Sequence, residues 1–105
     1  MKPDKKNRLE KAGFRVGSAT ELLNLTPEET TFVAMRLSLA RAVRERRASL
    51  GFSQSELARR LGSSQSRVAK IEAGESNVSF DLLVRAMLAT GAKPREVGQA
   101  IAAGK

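Results

Sequence analysis

The side chains best suited to bind a partner lie within residues 53–74, SQSELARRLGSSQSRVAKIEAG. The second half of this block has no acid before Glu72, and its polar side chains carry amide, hydroxyl, guanidinium and ammonium groups. The candidates are Gln65, Ser66, Arg67 and Lys70. These groups donate hydrogen bonds, and an amide or hydroxyl also accepts one. Their chemistry is therefore recognition of a surface rich in acceptors and negative charge.

Composition argues against catalysis by the commonest side chains. The chain has neither His nor Cys, which excludes Ser-His and Cys-His nucleophiles, the usual zinc sites and disulfides. No pair of titratable groups shares a face with a cleft that would shift their pKa values. We therefore predict no enzyme, no cofactor and no metal.

The charge and length of the chain narrow the class further. Nineteen Lys and Arg against eleven Asp and Glu give a net charge of +8, which favours a polyanionic partner. The 105 residues suffice for one domain. No apolar run is long enough for a membrane span, and the start lacks the apolar stretch of a signal peptide. The expected compartment is the cytoplasm.

Capping residues and glycine stops organise the chain from residue 26 onward. Thr26-Pro27-Glu28-Glu29 begins the first helix, and Ser53, Ser64, Ser79 and Pro94 mark later starts. The pattern predicts helices over about 27–50, 54–61, 64–73, 80–90 and 94–103, with no strand. The expected fold class is all-α with five helices.

Residues 53–74 contain two short helices joined by Leu61-Gly62-Ser63, a helix-turn-helix arrangement. The residues expected to face inward are Leu57, Ala58, Leu61, Val68 and Ile71. The second helix fits a DNA major groove about 12 Å wide, where Gln pairs with adenine and Lys reaches guanine or a phosphate. Gln54 and Ser64, at helix N-termini, are suited to hold phosphate oxygens.

This block resembles the phage-repressor (Cro-like, xenobiotic-response-element) helix-turn-helix family over about residues 36–90. The likeness consists of a Gln opening the first helix, Glu-Leu-Ala within it, the Gly turn, Ser-Gln-Ser-x-Val, and Ile-Glu-x-Gly. It implies a lambda-repressor-like domain that binds a palindromic operator in double-stranded DNA as a homodimer. By position it implies a phosphate contact for Gln54, and base contacts for Gln65, Ser66 and Lys70. It also implies a structural ion pair between Arg47 and Glu72.

Residues 1–25 are expected to be an N-terminal extension, disordered over 1–12, before a DNA-binding domain at 26–105. The stretch GFRVGSATELLNLTPEETTFV resembles HigA-type antitoxins of bacterial toxin–antitoxin pairs. That likeness implies a partner toxin, typically a small RelE-like ribonuclease, and repression of the pair's own operon. Candidate docking residues are Phe14, Val16, Leu22, Leu23 and Leu25. Alternatively, the three leucines fold back onto Val33 and Leu37 and extend the core.

Other residues allow two interpretations. The basic run Arg41, Arg44, Arg46 and Arg47 has the character of a solvated face, but beside a helix-turn-helix Arg44 is favoured as a phosphate contact. Arg59 and Arg60 are expected to be solvated. Val97 and Ile101 belong either to the core or to a dimer interface.

Two alternative functions remain open from the sequence. One is a protein-binding inhibitor module with little DNA binding, and the other is a stand-alone phage-type regulator. A short basic reading frame directly beside the gene would favour the antitoxin.

Overall fold

The computed structural model describes residues 24–104. The predictions made for residues 1–12 and for Phe14, Val16, Leu22 and Leu23 lie outside the described residues. The chain divides into two units, Met1–Ala34 and Met35–Lys105, with the boundary inside the first helix.

The described residues form five helices and no strand, which confirms the all-α fold class. Their bounds lie within about one residue of the predicted ones. The helices are α1 Pro27–Ser49, α2 Gln54–Leu61, α3 Gln65–Ala73, α4 Phe80–Ala89 and α5 Pro94–Ala102.

Side-chain caps explain where these helices begin. At α1, the Thr26 hydroxyl accepts from the Glu29 N–H (3.1 Å) while the Glu29 carboxylate accepts from the Thr26 N–H (2.8 Å). The hydroxyls of Ser53, Ser64 and Ser79 each accept a hydrogen bond from the backbone N–H three residues further along the chain. Each such bond satisfies a backbone donor that the first helical turn leaves without a partner.

The core of the second unit is aliphatic and joins all five helices. Its fully buried side chains include Leu39 and Val43 of α1, Leu57 of α2, Val68 and Ile71 of α3, and Leu83 and Met87 of α4. Ala58 is buried on α2, whereas Leu61 is half-buried and packs at the edge of the core. The short helices α2 and α3 are therefore held by packing, since helices of this length are marginal alone.

Arg46 corrects one expectation from the basic run. It is half-buried, and its guanidinium donates from Nε to the Thr90 hydroxyl (2.8 Å) and from Nη1 to Glu96 (3.1 Å). Thr90 is only 5% exposed and ends α4, while Glu96 lies in the first turn of α5. Arg46 thus ties α1 to the α4–α5 turn, and this structural role leaves only 28% of its side chain exposed.

Within the part of the chain that the structure describes, no helix combines the length and apolar character needed to cross a bilayer.

Candidate nucleic-acid interface

The turn between α2 and α3 sets the position of the candidate binding helix. Gly62 adopts a left-handed conformation (φ 72°), and its N–H bonds back to the last turn of α2. The Ser63 N–H then bonds to the Ala58 carbonyl (2.8 Å), and Ser64 caps α3. Because Ala58 is small and buried at this point, α3 can pack closely against α2.

The outer face of α3 holds the side chains that the sequence singled out. Gln65, Ser66, Arg67 and Lys70 are all exposed, while Val68 and Ile71 of the same helix are buried. No acidic side chain lies in the first turn of α3. The structure therefore presents one face of donors and cations to solvent.

A polar groove of about 210 Å³ lies beside this face. Its lining residues are Ser64, Ser66, Arg67, Lys70, Asn77, Val78 and Leu82. Five of these side chains carry hydrogen-bond donors and two of them carry positive charge. A groove of this character suits a phosphate oxygen better than an apolar ligand.

A chain of hydrogen bonds connects the exposed face to the interior. The Gln65 Nε2 donates to the Gln54 Oε1 at 2.6 Å, so the side chains of α2 and α3 meet at their N-terminal ends. The Gln54 Nε2 in turn donates to the Glu72 Oε1 at 3.1 Å. The structure thus brings Gln54 and Gln65 together, although the sequence-based prediction assigned them separate roles.

The Arg47–Glu72 pair lies beneath these amides. Arg47 donates to both carboxylate oxygens, from Nε at 2.5 Å and from Nη2 at 3.0 Å, and its Nη1 donates to the Phe52 carbonyl at 2.7 Å. The side chains are 17% and 3% exposed. The hydrogen bond to Glu72 raises the pKa of Arg47 above its ordinary value, outweighing burial. The pair joins α1 to α3 through the bidentate geometry that arginine favours with a carboxylate.

Three further arginines differ in whether their guanidinium groups take part in ion pairs. Arg44 is exposed on α1, and no ion pair among residues 24–104 uses it. Arg59 and Arg60 are exposed as expected, but both pair with Glu56, at 2.6 and 3.0 Å. The hydrogen bond from Arg59 is the main reason that the pKa of Glu56 lies below its usual value. Arg60 also lies over the Phe52 ring at 4.2 Å.

Comparison with protein-family models matches residues 43–97 to the helix-turn-helix family, just over half of the chain. The chain belongs to the helix-turn-helix family, of the Cro-like (XRE) type. It is a DNA-binding transcription regulator, and the partner of its helix-turn-helix domain is double-stranded DNA. Searches of curated proteins and of solved structures find no match.

The roles of two residues in this helix-turn-helix regulator were not predicted from the sequence. Arg36 donates from Nη2 to the backbone carbonyls of Glu75, at 2.8 Å, and of Val78. It thereby holds the loop that follows α3, and Asn77 of that loop lines the polar groove. Asn77 was detectable in principle as an exposed polar residue just beyond α3. Arg36 was not, because its partners lie about forty residues away.

The candidate dimer residues belong to α5, and the last docking candidate belongs to the first unit. Val97 is buried in the core of the second unit, and Ile101 is half-buried against that core. In the first unit, Leu25 is half-buried and lines an apolar depression of about 510 Å³ with Glu28, Glu29, Phe32 and Val33.

Proposed function

We propose that the protein is a sequence-specific repressor that inserts α3 into the major groove of a palindromic operator. The observation that supports this best is the exposed, acid-free face of α3, with the Gln65 amide hydrogen-bonded to Gln54. Gln65, Ser66 and Lys70 contact base edges in this proposal. Gln54, Ser64, Arg67 and Arg44 contact phosphates.

A homodimer follows from the operator's symmetry, since two copies are needed for two half-sites. Most of Val97 is already used by the core, so Ile101 and the exposed Leu88 of α4 offer more apolar surface to a second copy. Sedimentation at DNA-binding concentrations tests this arrangement. We expect a dimer from the wild-type chain and a monomer from Ile101→Glu.

DNA selection from a randomised duplex pool tests the repressor proposal. We expect the recovered sequences to share a motif with two-fold symmetry, with half-sites one helical turn apart. Recovery of sequences without any common motif would contradict sequence-specific binding. Bound regions upstream of the protein's own gene would support autoregulation.

We further propose that the regulator is the antitoxin of a type II toxin–antitoxin pair and neutralises a small RelE-like ribonuclease. The resemblance of residues 13–33 to HigA-type antitoxins supports this role, as does the apolar depression beside Leu25 and Phe32. Apolar surface of this kind tends to mark protein interfaces. The same proposal includes the division of the chain into an N-terminal extension, residues 1–25, and a DNA-binding domain, residues 26–105.

Deleting residues 1–25 tests the docking role. We expect the shortened chain to bind DNA but to lose neutralisation of the toxin encoded beside it. Loss of folding would instead assign Leu25 and its neighbours to the core. Normal neutralisation would place the docking surface elsewhere, and the lack of any adjacent toxin gene would favour a stand-alone phage-type regulator.

A further inference from the structure

We propose that Glu72 fixes the direction in which the Gln65 amide faces DNA, acting through Gln54. Glu72 is then a positioning residue for base specificity, in addition to pairing with Arg47. The inference rests on the proposed base contact of Gln65. It follows from three hydrogen-bonding steps that run from the interior to the surface.

The first step is the chemistry of the buried carboxylate. Glu72 is paired with Arg47 at both oxygens, and an ionised carboxylate only accepts hydrogen bonds. A side-chain amide facing it must therefore present its nitrogen. Gln54 does so at 3.1 Å. The opposite orientation would set a carbonyl oxygen against a carboxylate with no proton between them.

The second step follows from the first. With its nitrogen held by Glu72, Gln54 presents its carbonyl oxygen toward α3, where the Gln65 Nε2 donates to it at 2.6 Å. A reversed Gln65 would place two carbonyl oxygens at that distance, which is repulsive. One buried charge thus determines the orientation of two successive amides.

The third step concerns what Gln65 has left for a base. One N–H is used on Gln54, so the remaining groups are one N–H and the carbonyl oxygen. Adenine offers the matching pair in the major groove, an N7 acceptor and an N6 donor. Guanine offers two acceptors there, and the anchored amide lacks the second free donor that they require. This series of hydrogen bonds from Glu72 through Gln54 to Gln65, the relay, therefore favours adenine and disfavours guanine.

The test uses the full-length chain and a duplex selected by the wild-type protein from a randomised pool. The base pair whose preference disappears in Gln65→Ala defines the position to vary. The quantity measured is the ratio of the Kd values for guanine and adenine at that position. For the wild-type protein we expect a ratio of about 5 to 150, the range that one bidentate contact provides.

Two variants break the relay in different places. Glu72→Gln keeps the shape of the side chain but adds a donor, so Gln54 is free to reverse. Gln54→Met removes the central amide and leaves the Arg47–Glu72 pair intact. We expect the ratio to fall toward one in both variants. Affinity for unrelated DNA should be unchanged in Glu72→Gln, and in Gln54→Met it should fall by no more than the loss of the one phosphate contact proposed for Gln54.

Glu96→Gln is the matched control, because it makes the same chemical change at a carboxylate paired with Arg46. Its guanine-to-adenine ratio should equal that of the wild-type protein. A general effect of destabilisation would lower the ratio in the control as well, and that result would overturn the proposal.

The inference fails if folded Glu72→Gln retains the wild-type ratio. If Glu72→Gln does not fold, the same criterion applies to Gln54→Met, and an unchanged ratio there overturns the relay. A wild-type protein without base preference at any position is a different result. It would refute the proposed base contact itself.

Discussion

At the scale of single residues, the buried pair of Arg47 and Glu72 links stability to the binding face. Glu72 accepts from Arg47 and from Gln54, so the same carboxylate stabilises the α1–α3 contact and orients the amides above it. No buried side-chain nitrogen or oxygen among the described residues lacks a hydrogen-bond partner. Removing one member of this network therefore leaves others buried and unpaired.

Arg47→Ala and Glu72→Ala should each destabilise the fold. Removing one partner of a largely buried pair leaves the other charge buried and unpaired, at a cost of about 3–5 kcal/mol. The double variant should lose less free energy of unfolding than the sum of the two single variants, because it leaves neither charge unpaired. Thermal and urea unfolding of the four proteins measures this coupling. Additive losses would show that the two side chains act independently.

Gln65→Ala and Arg44→Ala should separate base contact from phosphate contact. Gln65→Ala is expected to cost about 1–3 kcal/mol on the selected duplex and to relax preference at one or two base pairs. Arg44→Ala should weaken binding to all sequences by a similar factor. Titration of both variants with selected and unrelated duplexes measures the difference. The role of Gln65 is wrong if its variant weakens both duplexes equally.

The sequence was most informative for residues whose partners are close along the chain or recur in a motif. The exposure of Gln65, Ser66, Arg67 and Lys70 followed from their spacing on α3. The roles of Arg36 and Arg46 did not, since their partners lie about forty to fifty residues away and are set by packing. The contact between Gln54 and Gln65 also depends on how closely α2 and α3 pack.

At the scale of elements, helix bounds were predictable because each end has a local cause. Ser53, Ser64 and Ser79 accept from backbone donors, and Gly62 and Gly74 end α2 and α3 with positive φ angles of 72° and 70°. These interactions span only a few residues. Long-range packing was needed only to decide which faces are buried.

Alanine at Gly74 should be more destabilising than alanine at Gly62. Both positions are left-handed, which costs an L-residue about 1–2 kcal/mol. A Cβ at Gly74 would also lie 3.0 Å from the Leu37 Cδ2, whereas a Cβ at Gly62 meets nothing within 4 Å. Urea unfolding of the two variants measures the difference. Equal losses would show that Leu37 moves aside without cost.

Acid should destabilise the helices through Glu56 and Glu96. Arg59 holds the pKa of Glu56 below 4.5, and the backbone N–H of Lys93, together with Arg46, does the same for Glu96. The folded chain thus binds fewer protons than the unfolded chain, so this stability is present above the ordinary pKa and is lost as pH falls through the lowered values. Glu56→Gln combined with Glu96→Gln should reduce the fall in Tm from about pH 5 to pH 3. An unchanged fall would contradict these ion pairs.

At the scale of the whole molecule, a net charge of +8 and an acid-free face on α3 favour DNA. Composition alone pointed to a polyanion, and the family match to residues 43–97 identifies the helix-turn-helix type. Neither composition nor fold specifies the operator, because sequence preference depends on a few side chains and on DNA shape.

Affinity for DNA should fall steeply with salt. If about six phosphates are neutralised, the binding constant should drop by about 10³ between 50 and 200 mM salt. Fluorescence anisotropy with a labelled duplex measures the slope. Arg44→Ala should reduce that slope by about one unit, since one phosphate contact is lost.

Competition between a selected duplex and an unrelated duplex of equal length tests the central claim most directly. At physiological salt we expect the wild-type chain to bind the selected duplex at least about 10³ times more tightly, the lower end for specific DNA-binding proteins. Gln65→Ala should narrow that difference while leaving the affinity for the unrelated duplex unchanged. Equal affinity of the wild-type chain for both duplexes would contradict the account.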